Sequence, residues 1–117
     1  MFYTNYASRA TLHPGSATAI PLGHASVDVV VPGLVLNFVP DQRAALAEMA
    51  RVTVKGGTIA AYVWDYAGKM ELMRYFWDVA VERDPRAAKM DEGIRFPLCH
   101  PESLERLFAG APVIALP

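Results

Sequence analysis

Three histidines and one cysteine are the side chains of this 117-residue chain best suited to metal binding or nucleophilic work. His13 and His24 lie far along the chain from Cys99-His100, and an adjacent Cys and His lack the spacing of a ligand pair, so no metal site is expected. Neighbours in extended chain point to opposite faces, so Cys99 and His100 cannot share a proton in place; they read as a buried thiol beside a histidine at a helix N-terminus. Gly56-Gly57 follows a helical pattern and precedes a strand-like one, the reverse of a phosphate loop, and reads as a turn. Val31-Pro32-Gly33-Leu34 ends a valine-rich run. In open parallel sheets ligands bind outside the carboxyl ends of strands, and a glycine there lets backbone approach them, although Pro-Gly also simply terminates strands. Trp64 and Tyr66, at the end of a second strand, flank the same crevice. An apolar helix over 70–81, carrying Phe76 and Trp77, would wall a substrate pocket if it folds over that crevice; otherwise it packs on another part of the fold or on a second subunit. Asp65 is the one nearby candidate base.

The elements that would position these residues follow from periodicity and turn chemistry. Residues 1–19 are broken by Asn5, Ser8, Thr11, Pro14, Gly15 and Ser16, so 1–13 is expected to be poorly ordered apart from a short strand around 10–13. Four valines within 27–31 predict a central parallel strand covered on both faces. After 34–39, Asp41 can cap a helix that runs to about Thr53 with Leu46, Met49 and Ala50 on one face. Lys55 sits at its negative end, and Gly56-Gly57 leads into a second buried strand over 58–64. Strand, helix, strand is one βαβ unit, and such a unit needs helices on both sides of its sheet. The helix over 70–81 is apolar around most of its girth and stops at Asp84-Pro85; residues 86–96 then read as a charged connection. A last helix begins near Pro101, buries Leu104, Leu107 and Phe108, and ends before Gly110.

Composition narrows the function classes. With 11 Lys+Arg against 12 Asp+Glu, and no basic stretch interleaved with aromatics, the chain carries no footprint for nucleic acid or an anionic membrane. A 53% apolar content is enough to build a core. One cysteine excludes an internal disulfide and fits a reducing compartment, with cytoplasm as the default. The N-terminus shows no export signal, and the longest apolar run, 29–36, is too short to span a bilayer.

In order and spacing, Gly15-Ser16-Ala17, Ile20-Pro21-Leu22, Ser26-Val27-Asp28-Val29-Val30-Val31, Val35-Leu36-Asn37-Phe38-Val39-Pro40-Asp41, Ala45-Leu46-Ala47-Glu48-Met49-Ala50-Arg51-Val52 and Lys55-Gly56-Gly57-Thr58 resemble the second half of a class I S-adenosylmethionine-dependent methyltransferase. The type is that of small-molecule enzymes like those of ubiquinone and menaquinone biosynthesis. The resemblance covers roughly 14–109. It implies a partial Rossmann-like sheet without the N-terminal glycine-rich βα unit, with 14–117 as the C-terminal portion of the domain and 68–96 as a helical cap.

The resemblance also implies site roles. Ser16 and Ala17 would lie against the adenine of S-adenosylmethionine, with Ser16 where the family usually has an acidic residue. Pro32, Gly33 and Leu34 would touch its methionyl and sulfonium portion, with Pro32 where a small polar residue is common. Asn37, Phe38, Trp64 and Tyr66 would face a small-molecule acceptor, walled by Phe76 and Trp77, and aromatic faces there can steady a positive sulfonium. No Gly-x-Gly-x-Gly loop stands in the sequence, so the chain is expected to bind the donor weakly or not at all. The tail 111–117 is too short and proline-broken for the usual closing strand pair. The competing expectation is a non-catalytic interaction module that pairs, or self-associates, through its sheet edge and the helix over 70–81.

Overall fold

The computed structural model describes residues 9–109; the expectations about 1–8 and about the tail 110–117 lie outside the described residues. Two parallel strands, β1 (Val27–Val30) and β2 (Thr53–Ile59), flank α1 (Gln42–Val52), the strand, helix, strand order of an α/β unit. β-Branched valines favour the extended backbone of β1. Only one of its faces is packed among the described residues: Val30 turns to the core, while Val29 and Val31 are 57% and 54% exposed. The expected cover on both faces is thus corrected. No strand forms over 10–13 either; those residues are exposed and irregular.

Asp41 caps α1 as expected, its carboxylate accepting the Ala44 N–H at 2.9 Å. The buried stripe is Ala45, Met49 and Val52, at i, i+4 and i+7, rather than the expected Leu46, Met49 and Ala50; Leu46 is half-buried and Ala50 exposed. α1 runs into β2 without a connecting turn. Thr53 ends the helix, donates its hydroxyl to the Met49 carbonyl at 2.6 Å, and is the first residue of the strand.

Gly56-Gly57 therefore lies inside β2, and the expected strand over 58–64 begins five residues early. The register explains how the strand tolerates this. Val27 pairs with Thr53 but Val29 pairs with Thr58, so the chain between bulges outward, and Gly56 takes φ +80°, a conformation costly for any residue with a Cβ. Pairing persists past Ile59: the Ala60 N–H donates to the Val30 carbonyl at 3.0 Å, and Gly33 bridges Tyr62 in parallel.

The core gathers Leu36, Ala45, Met49 and Leu98, with Val30, Ile59, Leu104 and Phe108 against it. Leu104 comes from α4 (Pro101–Leu107), which opens with proline as expected. The segment before β1 is held by Arg51. Its guanidinium donates to Glu48 at 2.7 Å and to the carbonyls of Ile20 and Leu22 at 2.9 Å, while the Ile20 N–H donates to Glu48 at 2.8 Å.

α2 (Glu71–Arg83) ends at Asp84-Pro85 as expected. The charged connection expected over 86–96 is instead folded: a 3-10 segment Pro85–Met90 and a short α3 (Glu92–Arg95). Acidic residues cap both pieces. Asp84 accepts from the Arg86 N–H and Asp91 from the Gly93 N–H. Asp91 also receives both terminal nitrogens of Arg74, one at 3.0 Å, and Trp77 Nε1 donates to Glu92 at 2.6 Å, so α2 and this segment form one unit. Among the described residues no helix is long and apolar enough to cross a membrane.

The hydrogen bonds from Arg51 and from the Ile20 backbone hold the Glu48 carboxyl down from 4.5 to about 2. A carboxylate depressed by folding stabilises the fold above its unfolded pKa and loses that contribution as pH falls through its folded one. Resistance to urea is accordingly expected to decline from about pH 4.5 to about pH 2. Glu48→Gln should flatten this part of the profile; an unchanged slope in the variant would assign the acid sensitivity to other groups.

Candidate functional site

At the carboxyl end of β1 the chain makes a tight turn over residues 32–34. Pro32 is buried. Gly33 lies under the Tyr62 ring: an added Cβ would overlap the phenolic oxygen and stand 2.7 Å from Cζ. The glycine expected to admit a ligand is instead covered by a neighbouring side chain. Leu34 adopts φ 56°, a left-handed conformation rare for a residue with a Cβ, and its N–H donates to the Tyr62 carbonyl at 3.0 Å. A strained residue locked by a cross-strand bond is the kind of backbone found where a chain turns around a site.

A 3-10 turn, Leu36–Phe38, follows directly. Leu36 anchors it in the core with no exposed surface, which draws Asn37 inward. The Asn37 side chain is 7% exposed, and neither its amide nitrogen nor its amide oxygen has a partner among the described residues. An unpaired buried amide costs about 1–3 kcal/mol, so it needs a reason.

Beside it, Phe38 meets Phe96 edge to face at 5.0 Å, and Tyr66 tilts against the other side of Phe96 at 5.9 Å. The Arg95 guanidinium lies 5.2 Å from the Phe96 ring centre. Burial is the main reason the Tyr66 phenol titrates above its ordinary value, with Cys99 and Glu92 adding to it, so it stays a neutral donor at physiological pH. Phe38 and Tyr66 are therefore brought together, through a residue that sequence reasoning missed. Phe96 ends a charged run just before Pro97, and that isolated aromatic was the available signal.

The other expected site residues are placed differently. Trp64 is 47% exposed. Asp65 uses its carboxylate to hold a turn, accepting the N–H groups of Gly68 at 3.0 Å and Lys69 at 3.2 Å. Trp77 is buried toward Glu92, and Phe76 is on the solvent side of α2, stacked edge-on against Trp77 at 4.9 Å. α2 packs chiefly on the 3-10 segment Pro85–Met90. Ser16 is exposed and shares its hydroxyl with Thr18 at 2.9 Å, while Ala17 packs against the core.

Cys99 is buried as expected, and burial, reinforced by Asp65, pushes its thiol up, away from nucleophilic form. Among the described residues no three His, Cys, Asp or Glu side chains cluster as a metal site would require. A wide, open depression of about 670 Å³ lies elsewhere, between the start of α1 and α4, lined by Asp41, Arg43, Pro97 and Arg106 among others. Its openness makes it a surface hollow, and it contains none of the expected site residues.

Gly33→Ala is expected to lower stability modestly, by about 1 kcal/mol or less, because the new methyl must displace the half-exposed Tyr62 ring. In a Tyr62→Ala background the same substitution should cost much less. Urea denaturation of the four proteins in the cycle measures the coupling, and additive effects would mean that the ring moves aside freely.

Of the comparisons with known proteins, one agrees with the fold. No curated protein and no solved structure matches the chain. A profile of the family described as a methyltransferase domain matches residues 3–61, a span that holds β1, the turn around Gly33 and Asn37, α1 and β2. Half of the chain, including the whole strand, helix, strand unit, is thereby accounted for, and the chain belongs to the methyltransferase domain family.

Proposed function

We propose that the crevice bounded by the Pro32–Leu34 turn, Asn37 and the Phe38, Phe96 and Tyr66 cluster is a methyl-transfer site that takes S-adenosylmethionine as donor and a small molecule as acceptor. The observation that carries this is Asn37. Asn37 is 7% exposed and neither amide atom has a partner among the described residues, which is costly to the fold by itself; a ligand that reaches the amide as its neighbours move aside would supply one.

S-Adenosylmethionine fits part of what the chain offers. The Asn37 amide can both donate and accept, which suits either the polar groups of the donor or an acceptor hydroxyl. The aromatic faces of Phe38, Phe96 and Tyr66 suit a cationic sulfonium. Bound there, the donor supplies an electrophilic methyl group for in-line displacement. The tasks left to the chain are alignment and exclusion of water, which the aromatic cluster and the buried turn can perform. No carboxylate base is needed in this reading, consistent with the structural work of Asp65 in its turn.

The fit is poorer at the far ends of the donor. Ser16 is turned to Thr18 and brings no acidic group to the adenine side, and no Gly-x-Gly-x-Gly loop is present for the amino-acid portion. Weak donor binding by this chain alone follows.

Asn37→Leu separates a ligand-binding amide from a structural one. Removal of a buried, unpaired amide at similar volume should raise stability by about 1 kcal/mol while abolishing whatever S-adenosylhomocysteine binding the chain shows by calorimetric titration. A destabilised variant would make the amide structural and defeat the reading. Low-micromolar binding by the unaltered chain would show instead that the glycine-rich loop is dispensable.

A further inference from the structure

Gly33 carries no side chain, yet its bare surface is closed. The Tyr62 ring lies over it: a Cβ built on Gly33 would stand 2.7 Å from the Tyr62 Cζ, so no ligand atom fits between ring and backbone. The two residues face each other across a parallel bridge that continues the pairing of β1 with β2. Side chains alternate across a sheet, and here the alternation separates the core from the ring. Ala61 and Val63 pack against the core, whereas Tyr62 lies on the other face with Val29 and Val31 of the β1 side. In the methyl-transfer reading the donor approaches the Gly33 backbone, and the ring occupies the place it would take.

How firmly the ring is held decides what it does there. The Tyr62 backbone is fixed, because its carbonyl accepts the Leu34 N–H at 3.0 Å. The side chain is 55% exposed, and its hydroxyl is the atom nearest the Cβ position of a residue that has no side chain to hold it. Rotation about the Tyr62 side-chain bonds therefore carries the ring off Gly33 without disturbing the core or the bridge, and it uncovers backbone that a ligand can approach closely.

We propose that Tyr62 is a gate: in the free chain its ring closes the cradle at Gly33, and a ligand that binds the Pro32–Leu34 turn must swing it aside. The gate rests on the methyl-transfer reading for the identity of that ligand, S-adenosylmethionine. A site closed in most molecules binds with an apparent affinity reduced by the fraction that is open, so the ring adds a cause of weak donor binding beyond the missing glycine-rich loop. An aromatic ring that instead held the sulfonium on its face would strengthen binding, and the two roles give opposite signs on removal of the ring.

Calorimetric titration with S-adenosylhomocysteine reads that sign. Tyr62→Ala should bind about fivefold to tenfold more tightly than the unaltered chain, and adding Gly33→Ala should take the gain away, because the new methyl refills the cradle. Tyr62 is exposed, so its replacement is compatible with folding, which circular dichroism checks. Proton NMR gives a readout independent of affinity. The Gly33 α-protons lie beside the ring and carry its ring-current shift, and titration of the unaltered chain with S-adenosylhomocysteine should move them toward their positions in Tyr62→Ala. Tyr62→Ala binding equal to or weaker than that of the unaltered chain, or Gly33 protons that stay in place as ligand binds, would overturn the gate and leave the donor reading standing. No binding by either chain up to about 1 mM would overturn the donor reading and the gate with it.

Discussion

The Arg51 guanidinium divides its donors among three partners: the Glu48 carboxylate within α1 and the carbonyls of Ile20 and Leu22 in the segment before β1. Glu48 in turn accepts the Ile20 N–H. One helix face thereby supplies the hydrogen-bond partners that an irregular segment cannot make for itself. Just beyond this clasp the Ala25 and Ser26 N–H groups donate to the Arg51 and Val52 carbonyls at the end of α1, which aligns the start of β1 with the start of β2. The register of the sheet, the length of the bulge at Gly56 and the place where β1 ends all follow from that alignment, and the candidate site begins where β1 ends.

That site joins a stable base to a costly centre. Leu36 and Met49 bury the underside of the turn, so the backbone around Asn37 is held whether or not its amide is satisfied. Leu34 at positive φ and the packed Gly33 add constraint from the strand side. Such arrangements are stable only where the surroundings over-determine them, and here the core cluster and the Tyr62 carbonyl do so. The aromatic wall comes from a different part of the chain: Phe96 follows α3, which is fixed to α2 by the Arg74–Asp91 and Trp77–Glu92 contacts. The position of the wall therefore depends on a small unit that the family match over 3–61 does not reach.

The sequence was legible wherever a local rule decided the outcome. Asp41 before an apolar periodicity, Pro101 at a helix start and Asp84-Pro85 at a helix end each stand where capping or steric rules place them. The span 86–96 was misread as a connection because Asp91 looks alike as a loop charge and as a cap; only the N–H group it meets tells the two apart. In the candidate site, Tyr66 was legible as an aromatic near the end of the second strand, and Phe38 only through the family resemblance. Phe96 was not: its place as a lone aromatic in a charged run marks it, but nothing local names Phe38 as its partner.

By itself the sequence determined the strand, helix, strand order and the family. Valine-rich strand, capped helix and second strand arise from propensity and periodicity within a dozen residues at a time, and the family match lies over that same span. Tertiary structure decided what depends on distant partners. It placed Gly56-Gly57 within a strand rather than before it, because β2 had to begin opposite Val27. It turned Asn37 inward, without a partner among the described residues, because Leu36 beside it is anchored in the core. It left one face of α2 bare, because Trp77, Arg74 and their acidic partners fix which way that helix is rotated. Apolarity and charge are read from residue type, but burial and pairing are properties of two surfaces, and only the folded chain brings the second one into place.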